Sequence, residues 1–362
     1  MRCLRTLTGM VQGCARRLQD AGVMVLLAGL LWAAMAWGQS YQFTDLGYFI
    51  PEAINNNGSL AGVVFPGHAA RWRAGQALED FGGIMAAATA INASDVAAGY
   101  TGGVVHWSDA VWWRKDGTRL MWPVPPGANF ARAAALNRRG WACGMAEIPM
   151  GSSRAALFNS QALLLPDYAE GTTGLASERP SYCEAISGMG WMVGTATAPD
   201  RHLHAMLWDS PTTFRDMHTT SPLGDDPSAQ SWGCCITEDN DSAGSIHDST
   251  GLHAWRWVKG PLEILPDLPG LPSCGASGMN PAGEVVGSCG LSVPGLVSHG
   301  VLWDVTGMPF DLNTIAQVPQ GWTIIKAAAI NDHGEIACVA QVAGDQQAHG
   351  CFLEPLMETS QR

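Results

Sequence analysis

Lysine is nearly missing from this chain: Lys115, Lys259 and Lys326 are the only three in 362 residues. Lys and Arg together number 20 against 32 Asp and Glu, a formal net charge of −12. Nucleic acid and anionic membrane surfaces are bound mainly through clustered positive charge, so both are excluded as expected partners. No long stretch carries the helical apolar period, which excludes a helical bundle. Nucleophile elbow, phosphate loop and zinc-protease helix motifs are all missing, so no familiar catalytic motif suggests an activity. The tail from Leu353 to Arg362 has no apolar anchor.

The one apolar run stands at the start. Arg2, Arg5, Arg16 and Arg17 precede an uncharged segment from Ala21 to Ala36, with small residues at Ala34, Ala36 and Gly38. Basic, apolar and cleavable regions in that order predict a secretory signal peptide over residues 1–38. The expected product is periplasmic or extracellular, with no stable membrane insertion after cleavage. Residues 39–362 are then one repeat domain. It keeps eight cysteines, and an even count in an exported chain suggests disulfides. Cys338 with Cys351 is one candidate pair. Cys274 with Cys289 is a second, although the turn register sets Cys274 opposite Gly290 unless a bulge intervenes. Adjacent Cys234 and Cys235 should point to opposite faces of their strand, leaving one able to reach Cys183.

What is abundant is glycine, 43 residues of it, together with a motif that recurs seven times. Asn55, Asn92, Asn137, Ser187, Thr237, Asn280 and Asn331 each come after a small or apolar pair such as Ala53-Ile54. Their side chains can accept a backbone hydrogen bond at the start of a type I turn. Three residues on stand Gly58, Asp95, Gly140, Gly190, Asn240, Gly283 and Gly334, types that tolerate a left-handed backbone. Together they specify a three-residue hairpin loop. A second strand pair comes next, with a polar residue four positions ahead of an aromatic: His68 to Trp72, Asp109 to Trp113, Arg154 to Phe158, His204 to Trp208, His253 to Trp257 and His299 to Trp303. His349 to Leu353 ends the series, and a short apolar strand such as Ile264 to Leu268 closes each earlier unit.

Four short strands per unit are the content of a propeller blade. The seventh unit lacks its last strand, whereas Phe43-Thr44-Asp45-Leu46-Gly47 is a spare one resembling Glu79-Asp80-Phe81-Gly82. The expected fold is therefore all-β, a β-propeller of seven four-stranded blades closed by an N-terminal strand completing the last. The recurring A-I-N-x-x-G…G…H-A-x-x-W pattern resembles the bacterial extracellular HAF repeat family, over Phe43 to about Leu353. The resemblance implies export and tandem repeats, and it brings no catalytic residues. Blades two and three depart from it by carrying Asp109 and Arg154 in place of His.

Most candidate site residues have a scaffold reading that is favoured. His68, His204, His253, His299 and His349 repeat around a ring, each beside its own turn, where an imidazole can bond backbone groups; His202-x-His204 is a weak metal pattern. Asp239, Asn240 and Asp241, with nearby Glu238, offer calcium-type oxygens, but the first three fall on the blade-five turn. Glu52 and Glu184 share one repeat position and could act as a carboxylate pair, yet blades one and four should lie far around the channel from each other. Trp107, Trp122, Trp232, Trp255 and Trp322 fall outside the repeated aromatic position. Trp141 and Trp191, just after the turns of blades three and four, pack between blades or present a surface for sugar rings. The reading as a whole is a non-enzymatic scaffold for protein or glycan, with no metal or cofactor. Its ligand would sit on the connections 146–152, 169–180 or 219–230. The alternatives are a glycosidase or lyase using channel-mouth carboxylates and a structural cell-surface component.

Overall fold

The structure, a computed structural model, describes residues 40–102, 109–149, 152–168, 180–222, 224, 226–291 and 297–356. The signal segment and Trp107 lie outside the described residues, as do most of the connection 169–180 and parts of the other two. The described residues form seven four-stranded antiparallel sheets. Blade four shows the plan: Ser181–Ile186, Met192–Thr197, Leu203–Ser210 and Thr213–Asp216 pair in sequence order. In blade seven the strands Trp322–Ile330, Ile336–Val342 and Ala348–Leu356 are joined by Ser40–Asp45, which pairs with the last of them. The first strands of neighbouring blades touch all the way round, and that of blade seven meets that of blade one. First strands therefore line the axis.

Each core cluster lies between two adjacent sheets. Cys143, Leu157 and Leu165 of blade three pack on Ile186, Met206 and Trp208 of blade four, and Phe49 and Leu60 of blade one pack on Ala337 and Phe352 of blade seven. The repeated third-strand aromatic belongs to these interfaces, with Trp113, Trp208 and Trp303 fully buried. A Trp buried there usually finds a partner for its indole N–H, as two of these three do, while that of Trp113 has none among the described residues. Trp208 donates to the carbonyl of Pro166 and Trp303 to that of Pro266, each 2.7 Å away. Pro266 also explains a displaced element. The fourth strand of blade five is Leu262–Ile264 rather than 264–268, because a proline has no N–H to continue the ladder.

The hairpin turns match the residue types in all seven blades. Gly58, Asp95, Gly140, Gly190, Asn240, Gly283 and Gly334 all have φ between 58° and 92°. In each blade this residue donates its N–H to the carbonyl of the anchor three positions back. The anchor side chain accepts as expected: Asn137 Oδ1 takes the N–H groups of Arg139 and Trp141. It also does something the turn rule does not require. The Asn amide donates across to the next anchor's carbonyl, from Asn55 to Asn92, Asn92 to Asn137, and Asn137 to Ser187. Asn280 continues to Asn331, and Asn331 reaches Asn55 at 3.0 Å. Among the described residues no helix is long and apolar enough to cross a membrane.

Candidate functional site

Every first strand is interrupted by a β-bulge three residues before its anchor. The extra residues are Glu52, Thr89, Ala134, Glu184, Cys234, Ser277 and Ala328. A bulged residue is left out of the ladder and re-aims its side chain. Here all seven line one or both of two cavities along the axis, of about 410 and 530 Å³. The bulge also explains the repeated second-strand glycine. A Cβ on Gly62, Gly144, Gly194 or Gly287 would stand 2.0–2.1 Å from a carbonyl oxygen of the bulged strand, closer than any side chain tolerates. Blade seven has Cys338 there, and its first strand carries a second bulge between Ile324 and Lys326. A glycine inside a strand marks a bulge or a close backbone approach, so this repeat could have revealed the channel ring from sequence.

Glu52 and Glu184 both line both cavities, so blades one and four present their carboxylates to one space. Blades one and four are not neighbours in the ring, and the two residues border the same space from different blades. Each is exposed to the lumen yet surrounded by protein, and limited hydration of the charged form raises both carboxyls above their ordinary range. For Glu52 the charge of Lys326 works against that rise; burial is the only cause acting on Glu184. Tyr182, Trp232 and Leu252 extend the walls. They stand near the beginnings of their strands, whereas the hairpin turns come after the ends of the first strands. The cavities thus extend toward the end of the channel away from the hairpin turns.

Trp141 and Trp191 are at that other end, one residue past the turns of blades three and four. Both are half-buried against inter-blade clusters, under the guanidinium groups of Arg139 and Arg215 respectively. They do not join the channel residues. Trp255 is fully buried and donates to Ser245, and Trp122 and Trp322 pack at blade interfaces.

The five histidines are tied to carboxylates rather than to the backbone groups expected. His68, His204, His253, His299 and His349 place Nδ1 2.6–3.4 Å from Asp80, Asp216, Asp267, Asp311 and Asp45, all on or just after a fourth strand. In blade three Arg154 takes the same role, 2.7 Å from Asp167. Burial opposes the charged form of His204 and His349, but hydrogen bonds to Asp216 and Asp200, and to Asp45 and Asp345, outweigh it and raise both. Asp239, Asn240 and Asp241 form the blade-five turn, with Asn240 in the left-handed region. Among the described residues no group of three or more His, Cys, Asp or Glu is arranged to hold a metal ion.

One candidate cysteine pair is found, and two other expectations, the Cys338–Cys351 bridge and the opposed faces of Cys234 and Cys235, are corrected. The bulge at Ser277 shifts the register by one, so Cys274 faces Cys289 and the two are disulfide-bonded. Cys338 does face Cys351, with both thiols free. Cys234 and Cys235 do not point to opposite faces: the bulge turns both sulfurs to one side, 3.3 Å apart, and the thiol beside Cys183 is that of Cys143.

No family model matches the chain, and no curated protein does. Solved structures do. The chain is similar to the β-propeller domain of the Trilobed protease from Pyrococcus furiosus, at 7% identity and TM-score 0.54 over 89% of this chain and 97% of that one. Virginiamycin B lyase from Staphylococcus aureus matches at 9% identity and TM-score 0.53, over 88% of this chain and 100% of that one. Puromycin hydrolase matches at 14% identity and TM-score 0.52 over 82% of this chain, which spans only 50% of that enzyme's length. Identities this low carry the fold and no activity: the chain is a seven-bladed β-propeller.

Proposed function

We propose that the protein is an exported, non-enzymatic scaffold that binds a segment of protein or glycan at the channel mouth away from the hairpin turns. One observation carries the reading. The repeat position aimed into the channel changes from blade to blade, through Glu, Thr, Ala, Glu, Cys, Ser and Ala, while the turn positions on the same strands repeat. Repetition serves the scaffold; a ligand needs a particular set of groups in one place. Tyr182 and Trp232 offer aromatic faces, Glu52 and Glu184 offer acceptors, and Lys326 and Arg132 offer donors. Export rests on the N-terminal sequence.

The test is binding of the purified mature protein to arrays of envelope polysaccharides and peptides. Reproducible binding that falls at least tenfold in Trp232→Ala, and stays within twofold in Trp141→Ala and Trp191→Ala, supports the channel mouth. Binding lost only in the latter two moves the site to the hairpin end, and blank arrays of both kinds remove the reading. A second reading draws on the two carboxyls bordering one cavity, both raised by burial, because a raised carboxyl is the kind of group a glycosidase or lyase uses as its acid. Product release from a bound glycan, abolished by Glu52→Gln or Glu184→Gln, would replace the scaffold with an enzyme.

A further inference from the structure

Blade five breaks the repeat at the channel wall. The residue after the bulge is Ala53, Ala90, Ala135, Ala185, Gly278 or Ala329 in the other six blades, and Cys235 here, next to Cys234. In a regular strand two neighbouring side chains point to opposite faces. The bulge between Gly233 and Cys235 pairs Cys235 with Ala243 and leaves Cys234 without a partner of its own in the ladder. Both sulfurs consequently approach the same carbonyl, that of Ala243, at 3.4 and 3.9 Å. They lie 3.3 Å from each other, against about 2.05 Å for a covalent S–S bond. The sulfurs need to approach by little more than an ångström to reach bonding distance.

Access separates this pair from the other free thiols. Cys143, Cys183, Cys338 and Cys351 are buried, whereas Cys234 and Cys235 are both partly exposed, and Cys234 lines both axial cavities. We propose that Cys234 and Cys235 form a redox-active dithiol on the channel wall that closes reversibly to a vicinal disulfide by exchange with a small-molecule disulfide. The Cys234 thiolate attacks one sulfur of that disulfide, whose S–S bond breaks to release one thiol and leave a mixed disulfide on Cys234. The Cys235 thiolate then attacks the Cys234 sulfur, forms the S–S bond between neighbours and expels the second thiol. The protein dithiol loses two electrons and two protons, and the small disulfide gains them. A ring closed between adjacent residues is strained, and strained disulfides are the reducible, labile ones. The site is independent of which ligand the channel holds.

The experiment equilibrates the reduced mature protein with mixtures of oxidised and reduced glutathione, quenches in acid, alkylates and reads the peptides by mass. The expected result is that the peptide holding both residues passes from two alkyl groups to none, without a glutathione adduct, while those of Cys143, Cys183, Cys338 and Cys351 lag at least tenfold in rate. In Cys235→Ser the second step is blocked, so Cys234 should accumulate as its glutathione adduct. The proposal is overturned if Cys234 and Cys235 both remain alkylatable in the wild type at every ratio. It is equally overturned if the wild type stops at a glutathione adduct, or if Cys234 is recovered linked to Cys183.

Discussion

At the hairpin end of the propeller, five asparagines perform the same two tasks, holding their own turn and reaching for the next anchor. At the channel mouth no two neighbouring blades present the same bulge residue. A closed ring must make one interface seven times, so whatever serves the interface is repeated. Freedom to vary is left to side chains aimed at the lumen; of these Thr89 still donates to the Ala133 carbonyl of the next blade, 3.0 Å away. Blades four and five show the limit of the rule. Ser187 and Thr237 keep the acceptor that holds the turn but lack an amide, and Ser187 instead donates to the side chain of Asn240.

The comparison breaks most severely at the glycine opposite the bulge. Gly194→Ala would put a Cβ 2.1 Å from the Tyr182 carbonyl. Overpacking of this kind typically costs about 1–3 kcal/mol, and backbone on both sides places this case at the upper end. Urea unfolding should show it, while Ala134→Ser, in the lumen, should leave the midpoint nearly unchanged. Next comes the asparagine ring. Asn137→Ala removes an acceptor for two N–H groups and the donor to Ser187, a loss of about 2 kcal/mol, and Asn137→Ser should recover roughly half by keeping the acceptor. The reverse change sharpens the rule: Ser187→Asn can extend the amide ring to the Thr237 carbonyl and should stabilise by about 0.5–1 kcal/mol.

The smallest effects are electrostatic. Glu184 has a folded pKa above its unfolded one, so it favours folding most at acid pH, and that contribution is lost as pH rises through the folded value. Glu184→Gln should therefore match the wild type in melting temperature near pH 4 and exceed it at pH 8. His349 is also raised, so its contribution is complete below its ordinary range and fades as pH rises through the folded value. His349→Gln should accordingly be most destabilising near pH 5–6, with the deficit shrinking by pH 9. A deficit that grows with pH would contradict the pairing with Asp45 and Asp345.

The blade count, the turn geometry and the buried aromatic position were legible because each depends on local chemistry that recurs at fixed offsets. The histidine partners were half legible. Asp45, Asp80 and Asp311 stand at matching places, yet a hydrogen bond across a strand pair appears only once the register is known. The bulges were only partly legible, because each displaces the pairing of its strand by one residue. Such a shift set Cys274 against Cys289 and brought the sulfurs of Cys234 and Cys235 together, where a regular strand would have opposed them. The recurring Gly62, Gly99, Gly144 and Gly194 were its trace in the sequence, and their meaning is steric.

Hydrogen–deuterium exchange of the mature protein, with and without a ligand found on the arrays, locates the binding site. Added protection is expected in residues 181–185 and 230–236, and none at the turns around Trp141 and Trp191. Protection confined to those turns, with the channel strands unchanged, would contradict a site at the channel mouth.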